Sequence, residues 1–282
     1  MAQDLAQLAD SQVFILKALA AYRFLTVKQM LELDYQISRT QLYTKLKPMK
    51  DETKPLIKFI DFGSLPGKGR LDIVFFLSPR GASVLQELGL EPEQINFPKR
   101  VRAFNSEYHH RMASVGFHIT VDSWCKANKG KLELYESYYD DGKKAPNGKA
   151  LQKTTITQKG LNFSPDSIFN FTTVDGVKRL CCFELHNGDE GGRIMKQIEV
   201  YCQALHQRVI EDSYSYPHSA RVLIVFENEK CLQKTRVLFV KRDDLKAYSP
   251  NFFLKTKDEI QEGDFKLGWR KLNNNDERLS LF

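Results

Sequence analysis

Apolar residues fall at helical spacing early in the chain, with Val13, Ile15, Leu16, Leu19 and Ala20 sharing one face. Thr26 is placed to cap a second helix through Met30 and Leu33, and Ser38 to cap a third through Leu42 and Leu46. The third helix is expected to end near Lys47, because Pro48 disfavours helix in the residue before it. Two apolar runs, Leu56–Phe62 and Ile73–Leu77, then flank a Gly, Pro and cation-rich turn from Ser64 to Arg70. Pro79-Arg80-Gly81 opens a further helix ending near Leu88.

Three short helices followed by a basic hairpin give the order of a winged helix-turn-helix, expected over residues 1–92. Residues 93–105, with Pro98, Lys99, Arg100 and Arg102, read as a linker. Residues 106–282 form the second expected domain. It begins with a helix from Ser106 to Ala127 and a strand around Leu132–Tyr139. A polar stretch from Asp140 to Gly160 has no clear periodicity and reads as a long loop. A strand pair and an amphipathic helix follow, the latter with Ile194, Ile198, Tyr201, Cys202 and Leu205 as its buried stripe. A strand at Val222–Phe226 and β-like segments at Phe252–Leu254 and Phe265–Trp269 complete the α/β, two-domain expectation.

Composition leaves this picture intact: 42% hydrophobic and 27% charged residues suit a globular chain of 282 residues. Five cysteines without a CxxC pair read as core residues in a reducing compartment. The N-terminal ten residues lack a basic region before an apolar stretch, and no apolar run approaches a membrane span. A cytoplasmic protein without membrane insertion is expected.

Charge sharpens the reading. The net charge is +7. Between Ser38 and Arg70, eight cations (Arg39, Lys45, Lys47, Lys50, Lys54, Lys58, Lys68, Arg70) meet three acids (Asp51, Glu52, Asp61). Such a run is commonly a solvated face. Placed on the third helix and the wing, it suits DNA phosphates, with Arg39, Lys45, Lys47, Lys68 and Arg70 as candidate contacts.

The candidate chemistry sits in Ser164-Pro165-Asp166 and Phe183-Glu184-Leu185-His186. If Val174-Asp175-Gly176 is the loop between two strands, with Gly176 at positive φ, Thr173 lies across from Val177. Asp166 then falls opposite Glu184, with Cβ atoms about 5 Å apart. A one-residue change would separate them onto opposite faces. His186 shares the Glu184 face. Two carboxylates so close call for a cation or a proton, and a hard cation such as Mg2+ would suit such oxygen ligands. Lys196 and Gln197 follow on the helix. His110, in Glu107-Tyr108-His109-His110, is a further candidate as general acid or ligand.

These residues resemble the replication-relaxation family, which includes MobC-type plasmid mobilisation relaxases. The resemblance spans about residues 11 to 208. It rests on the helical start, Phe75-Phe76-Leu77-Ser78-Pro79-Arg80-Gly81, His110-Arg111-Met112-Ala113, Pro165-Asp166, Phe183-Glu184-Leu185-His186, Lys196 and Tyr201. It implies a PD-(D/E)xK restriction-endonuclease-like mixed sheet flanked by helices, Mg2+ or Mn2+ at Asp166 and Glu184, and nicking of supercoiled plasmid DNA at a transfer origin. Accessory mobilisation proteins and a coupling protein are the partners it implies. The chain departs from the pattern at Glu184-x-His186, where the family of folds has Glu-x-Lys. His186 takes the lysine's part, or Lys196 supplies it from the helix. Gln197-x-x-x-Tyr201 resembles an element of some nucleases of this fold. The nucleophile stays open among Tyr135, Tyr138, Tyr139, Tyr201 and water. Two other readings fit the same residues: a non-catalytic DNA-binding accessory or replication regulator, and an endonuclease that cuts both strands.

Overall fold

Helix caps set the first elements. In the computed structural model, α1 (Asp10–Tyr22) buries Ile15, Leu16 and Leu19. The described residues are 8–33, 37–51, 53–65, 67, 69–98, 104–144, 148, 150–188, 191–262, 264–273 and 277–282. After the short strand β1 (Leu25–Thr26), Thr26 caps α2 (Val27–Glu32). Gln29 N donates to Thr26 Oγ1 at 3.2 Å, and Thr26 N donates to Gln29 Oε1 at 3.0 Å. Ser38 and Gln41 form the same reciprocal box at the start of α3 (Arg39–Asp51), at 2.8 and 3.2 Å. Each box satisfies amides that a helix start leaves orphaned.

The helix α3 does not stop at Lys47. It continues through Pro48 to Asp51. Leu42, Leu46 and Met49 are all buried, and this continuous apolar stripe outweighs the missing proline donor.

Strands β2 (Ile57–Ile60) and β5 (Val74–Leu77) pair antiparallel, and β1 takes the other edge of β5. The turn between them is itself a small hairpin of β3 (Ser64–Leu65) and β4 (Gly69–Arg70). Ser78 caps α4 (Pro79–Glu87), with Gly81 N donating to its Oγ at 3.0 Å. Only glycine fits at position 81, since a Cβ there would lie 2.1 Å from Leu56 O. Beyond α4, Pro92–Gln94 makes a 3-10 turn and Asn96 N donates to Ala20 O at 2.9 Å. The expected linker cations Lys99, Arg100 and Arg102 lie outside the described residues.

The chain is a mixed α/β protein that divides into two units, Met1–Ile119 and Thr120–Phe282. The division falls within α5 (Tyr108–Ala127), which a 3-10 turn at Asn105–Glu107 precedes. No described helix is long and apolar enough to cross a membrane.

In the second unit, β6 (Lys131–Ser137) is followed by two hairpins in place of the expected loop. They are β7 (Asp141–Lys144) with β8 (Ala150–Gln152), and β9 (Ile156–Gln158) with β10 (Leu161–Phe163). Their residues are largely exposed or half-buried, so they carry little of the apolar alternation by which a strand is recognised. Then come β11 (Ser167–Thr172), β12 (Lys178–His186), α6 (Gly191–His206), α7 (Val209–Ser213) and β13 (Arg221–Phe226). Next are α8 (Glu229–Val240), a 3-10 helix (Asp243–Asn251), β14 (Phe252–Thr256) and α9 (Lys257–Glu262).

The five-stranded sheet has the order β14-β13-β12-β11-β6. The β6, β11 and β12 neighbours are antiparallel, while β12, β13 and β14 run parallel. Parallel pairs need helical crossovers. Here α6 follows β12 and α8 follows β13. One sheet face, with Ile168, Leu180, Cys182, Val222, Ile224 and Leu254, packs in one core with Ile194, Ile198, Tyr201, Cys202 and Leu205 of α6. Phe265–Trp269 is not a strand. Trp269 and Arg270 make isolated bridges to Leu279 and Leu254. All five cysteines are buried and free.

Candidate active site

The turn between β11 and β12 aligns the two acids. Thr173 N donates to Val177 O at 3.0 Å, Gly176 N donates to Thr173 O at 2.9 Å, and Gly176 has φ +80°. The ladder runs from Thr172 opposite Lys178 to Ser167 opposite Phe183. One step further brings Asp166 level with Glu184, as expected from the turn. Asp166 lies just outside the strand and is held on three sides. Its Oδ2 accepts from Leu185 N at 2.8 Å, its carbonyl accepts from Tyr138 N at 3.0 Å, and the preceding Pro165 O accepts from Thr154 Oγ1 at 2.6 Å.

Glu184 is 3% exposed. Its Oε1 accepts from Tyr201 Oη, and Gln197 also hydrogen-bonds its carboxylate. Arg193, Gln197 and Tyr201 are spaced at i, i+4, i+8 on α6, which puts them on one stripe. Burial, and then the neighbouring charge of Asp166, push the Glu184 carboxyl well above the usual range. The hydrogen bonds and the charge of Arg193 oppose that shift. Burial followed by Glu184 likewise pushes the Tyr201 phenol up.

Comparison with family models, with curated proteins and with solved structures finds no match for this chain. The chemistry therefore has to be read from the side chains.

The pair of acids fits a small hard cation. Magnesium is commonly bound through one or two carboxylates, with water and phosphate oxygens completing the shell. A cation between Asp166 and Glu184 would offset the like-charge repulsion between them and the desolvation of Glu184. Among the described residues, no group of three or more His, Cys, Asp or Glu side chains is placed so that it could hold a metal ion.

His186 is 4% exposed and shares the Glu184 face by strand alternation. Its ring lies 5.7 Å from that of Phe226, and its carbonyl accepts from Glu227 N at 2.9 Å. Lys196 is exposed on α6. The cation whose charge reaches Glu184 is Arg193, which the sequence pattern does not single out. Its distance of one helical turn from Gln197 is the signal that could have found it. His110 lies in the Met1–Ile119 unit, where its carbonyl accepts from Ser114 Oγ at 3.0 Å.

Of the four tyrosines, Tyr201 is bound to Glu184 and buried. Tyr135 stacks on Phe169 at 5.6 Å, and burial pushes its phenol up. Tyr138 and Tyr139 are half-buried at the end of β6, beside Asp166.

In the first unit, Arg39, Tyr43 and Lys47 form an exposed stripe along α3, with the Arg39 guanidinium 5.9 Å from the Tyr43 ring centre. Lys45 is half-buried. Arg70 pairs with Asp61 at 2.7 Å. Lys68 lies outside the described residues.

Proposed function

We propose that this protein is a divalent-metal-dependent endonuclease of the relaxase type, nicking supercoiled plasmid DNA at a transfer origin. One observation carries the reading: Asp166 and Glu184 stand level where two inner strands of a mixed sheet pair, with Gln197 and Tyr201 hydrogen-bonded to the buried glutamate. In this reading the second unit is a PD-(D/E)xK nuclease-like domain and the first a winged helix-turn-helix. A Mg2+ or Mn2+ held at this pair would supply the activation of a water or hydroxyl and offset charge on the phosphoryl group. Asp166 and Glu184 hold it, and Tyr201 and Gln197 orient Glu184. His186 or Lys196 handles the proton or the scissile phosphate, and Arg193 is placed to assist. Arg39, Lys45 and Lys47 with Lys68 and Arg70 address the DNA, and accessory mobilisation proteins and a coupling protein are the expected partners. The histidine at position 186, in place of lysine, favours one other reading, a non-catalytic DNA-binding accessory protein.

Incubating supercoiled origin DNA with protein and Mg2+ or Mn2+ tests these readings. Open circles from the native protein, absent with Asp166→Ala, are the expected result. Linear product points to double-strand cleavage instead. DNA binding without metal-dependent nicking leaves the accessory protein standing.

Neutralising Arg39, Lys45 and Lys47 together is expected to weaken duplex binding and to lower the salt slope by about one for each phosphate no longer neutralised. A slope equal to that of the native protein, measured by titration across salt concentrations, rules out α3 as the DNA-facing element.

A further inference from the structure

A second polar site lies on the opposite face of the sheet from Glu184. Glu184 pairs with Ile224, three residues along β13 from Arg221, so the two are about 10 Å apart along the strand. Odd and even positions of β13 face opposite ways. Around Arg221, two cations gather with no carboxylate partner among the described residues. The Arg221 guanidinium lies 5.3 Å from the Phe253 ring centre, and Lys271 Nζ lies 3.2 Å from the same centre. Arg221 Nη1 is buried without a hydrogen bond. Lys271 donates to Pro250 O, which leaves two of its three donors unused among the described residues.

Lys271 also lines a cavity of about 350 Å3, together with Lys246, Ser249, Asn273 and Glu277. Ser249 is 7% exposed, and its Oγ is buried with no partner. Lys246 pairs with Asp243, and Glu277 has a partner of its own. Burial, and then the charge of Arg221, bring the Lys271 ammonium down to about 8. Half-buried cations without a carboxylate partner and an unmade buried hydroxyl bond each cost stability, and such costs concentrate where a ligand compensates them.

We propose that this cavity binds a phosphate group carried by a free nucleotide or by a nucleic-acid strand. Lys271 and Ser249 are its donors, and Arg221 supplies a second positive charge beside the Phe253 ring. Lysine and hydroxyl donors suit phosphate oxygens. The volume leaves room for the ester group as well. The site is separate from the carboxylate pair and stands whether or not the chain cuts DNA.

Calorimetric titration of the full chain in EDTA tests it, with pyrophosphate, ADP and a short single-stranded oligonucleotide as probes. Binding of pyrophosphate or ADP identifies a free nucleotide as the source, and binding of the oligonucleotide alone identifies a strand. In either case Lys271→Met is expected to bind at least ~10-fold more weakly, because a charged hydrogen bond is removed. Its ligand-free melting temperature is expected to equal or exceed that of the native protein, which separates impaired binding from impaired folding. Ser249→Ala is expected to weaken binding about threefold. Affinity should fall as pH rises through about 8, where the Lys271 ammonium loses its proton. Absence of binding by all three probes, or native affinity in Lys271→Met, overturns the proposal.

Discussion

Glu184→Gln is expected to abolish metal-dependent nicking, by roughly 1,000-fold or more, while making the metal-free protein more stable at neutral pH. The two effects share one cause. The Glu184 carboxyl is buried beside Asp166, so the fold resists its ionisation. In the unfolded chain it titrates near the ordinary value of about 4.3. Below that pH both states hold the proton and no penalty arises. As pH rises, the unfolded chain releases the proton while the folded protein keeps it, and stability declines until the raised folded value is passed. Glutamine removes this titration and still offers Tyr201 an acceptor. Thermal melts from acid to neutral pH should therefore show a decline for the native protein that the variant lacks. Mg2+ should restore part of the native protein's stability and do nothing for the variant. An equal Mg2+-induced shift in both proteins would place the ion elsewhere.

Arg270→Ala is expected to destabilise the second unit by about 3 kcal/mol. Arg270 is buried, and its Nη1 reaches both oxygens of Glu229 at 2.6 and 2.8 Å. Its Nη2 donates to Glu259 Oε2 at 2.7 Å. Glu259 in turn holds Arg278 and accepts from Thr256 N at 2.8 Å. The backbone of Arg270 exchanges hydrogen bonds with Leu254 at 3.0 and 2.8 Å, so this one residue ties the segment after α9 to β14. Removing the guanidinium leaves two carboxylates without their shared cation. Glu229 is half-exposed, which keeps the loss at the low end for a buried pair. At about 2–4 °C per kcal/mol for a unit of this size, the melting point should drop by roughly 10 °C. Arg270→Met should cost less, because its stem still packs. A loss below about 1 kcal/mol in urea unfolding would show that the network contributes little.

Local signals are the legible ones. Thr26 and Ser38 announce their helices because a cap and its glutamine partner stand three residues apart. The α6 stripe and the turn before Val177 are readable for the same reason. What stays hidden depends on distant neighbours. Helix α8 has Asn228 as a cap, its side chain accepting from Cys231 N at 3.0 Å. Its buried face, however, includes Thr235 and Arg236, which break the apolar period. Thr235 is satisfied within the helix by Cys231 O at 3.0 Å, and Arg236 reaches Asn273 O at 2.8 Å. The hairpins between β6 and β11 escape notice because only Ile156 of their described strand residues is well buried. At the candidate site both acids can be found from the chain. Arg193 is marked only by its one-turn spacing from Gln197, and a cation at the start of an exposed helix face looks like many others until the glutamate beneath it is placed.

The short connection Val174-Asp175-Gly176 acts as a ruler for the carboxylate pair. Val174 is 69% exposed, so its identity can drift with little consequence. Its residue count cannot. Deleting one position would turn Glu184 toward the side that Phe183 now occupies and leave Asp166 facing an apolar neighbour. Gains and losses of sequence should instead accumulate between Lys144 and Ala150, the connection of β7 to β8, where they reach neither Thr154 nor the sheet and shift neither acid.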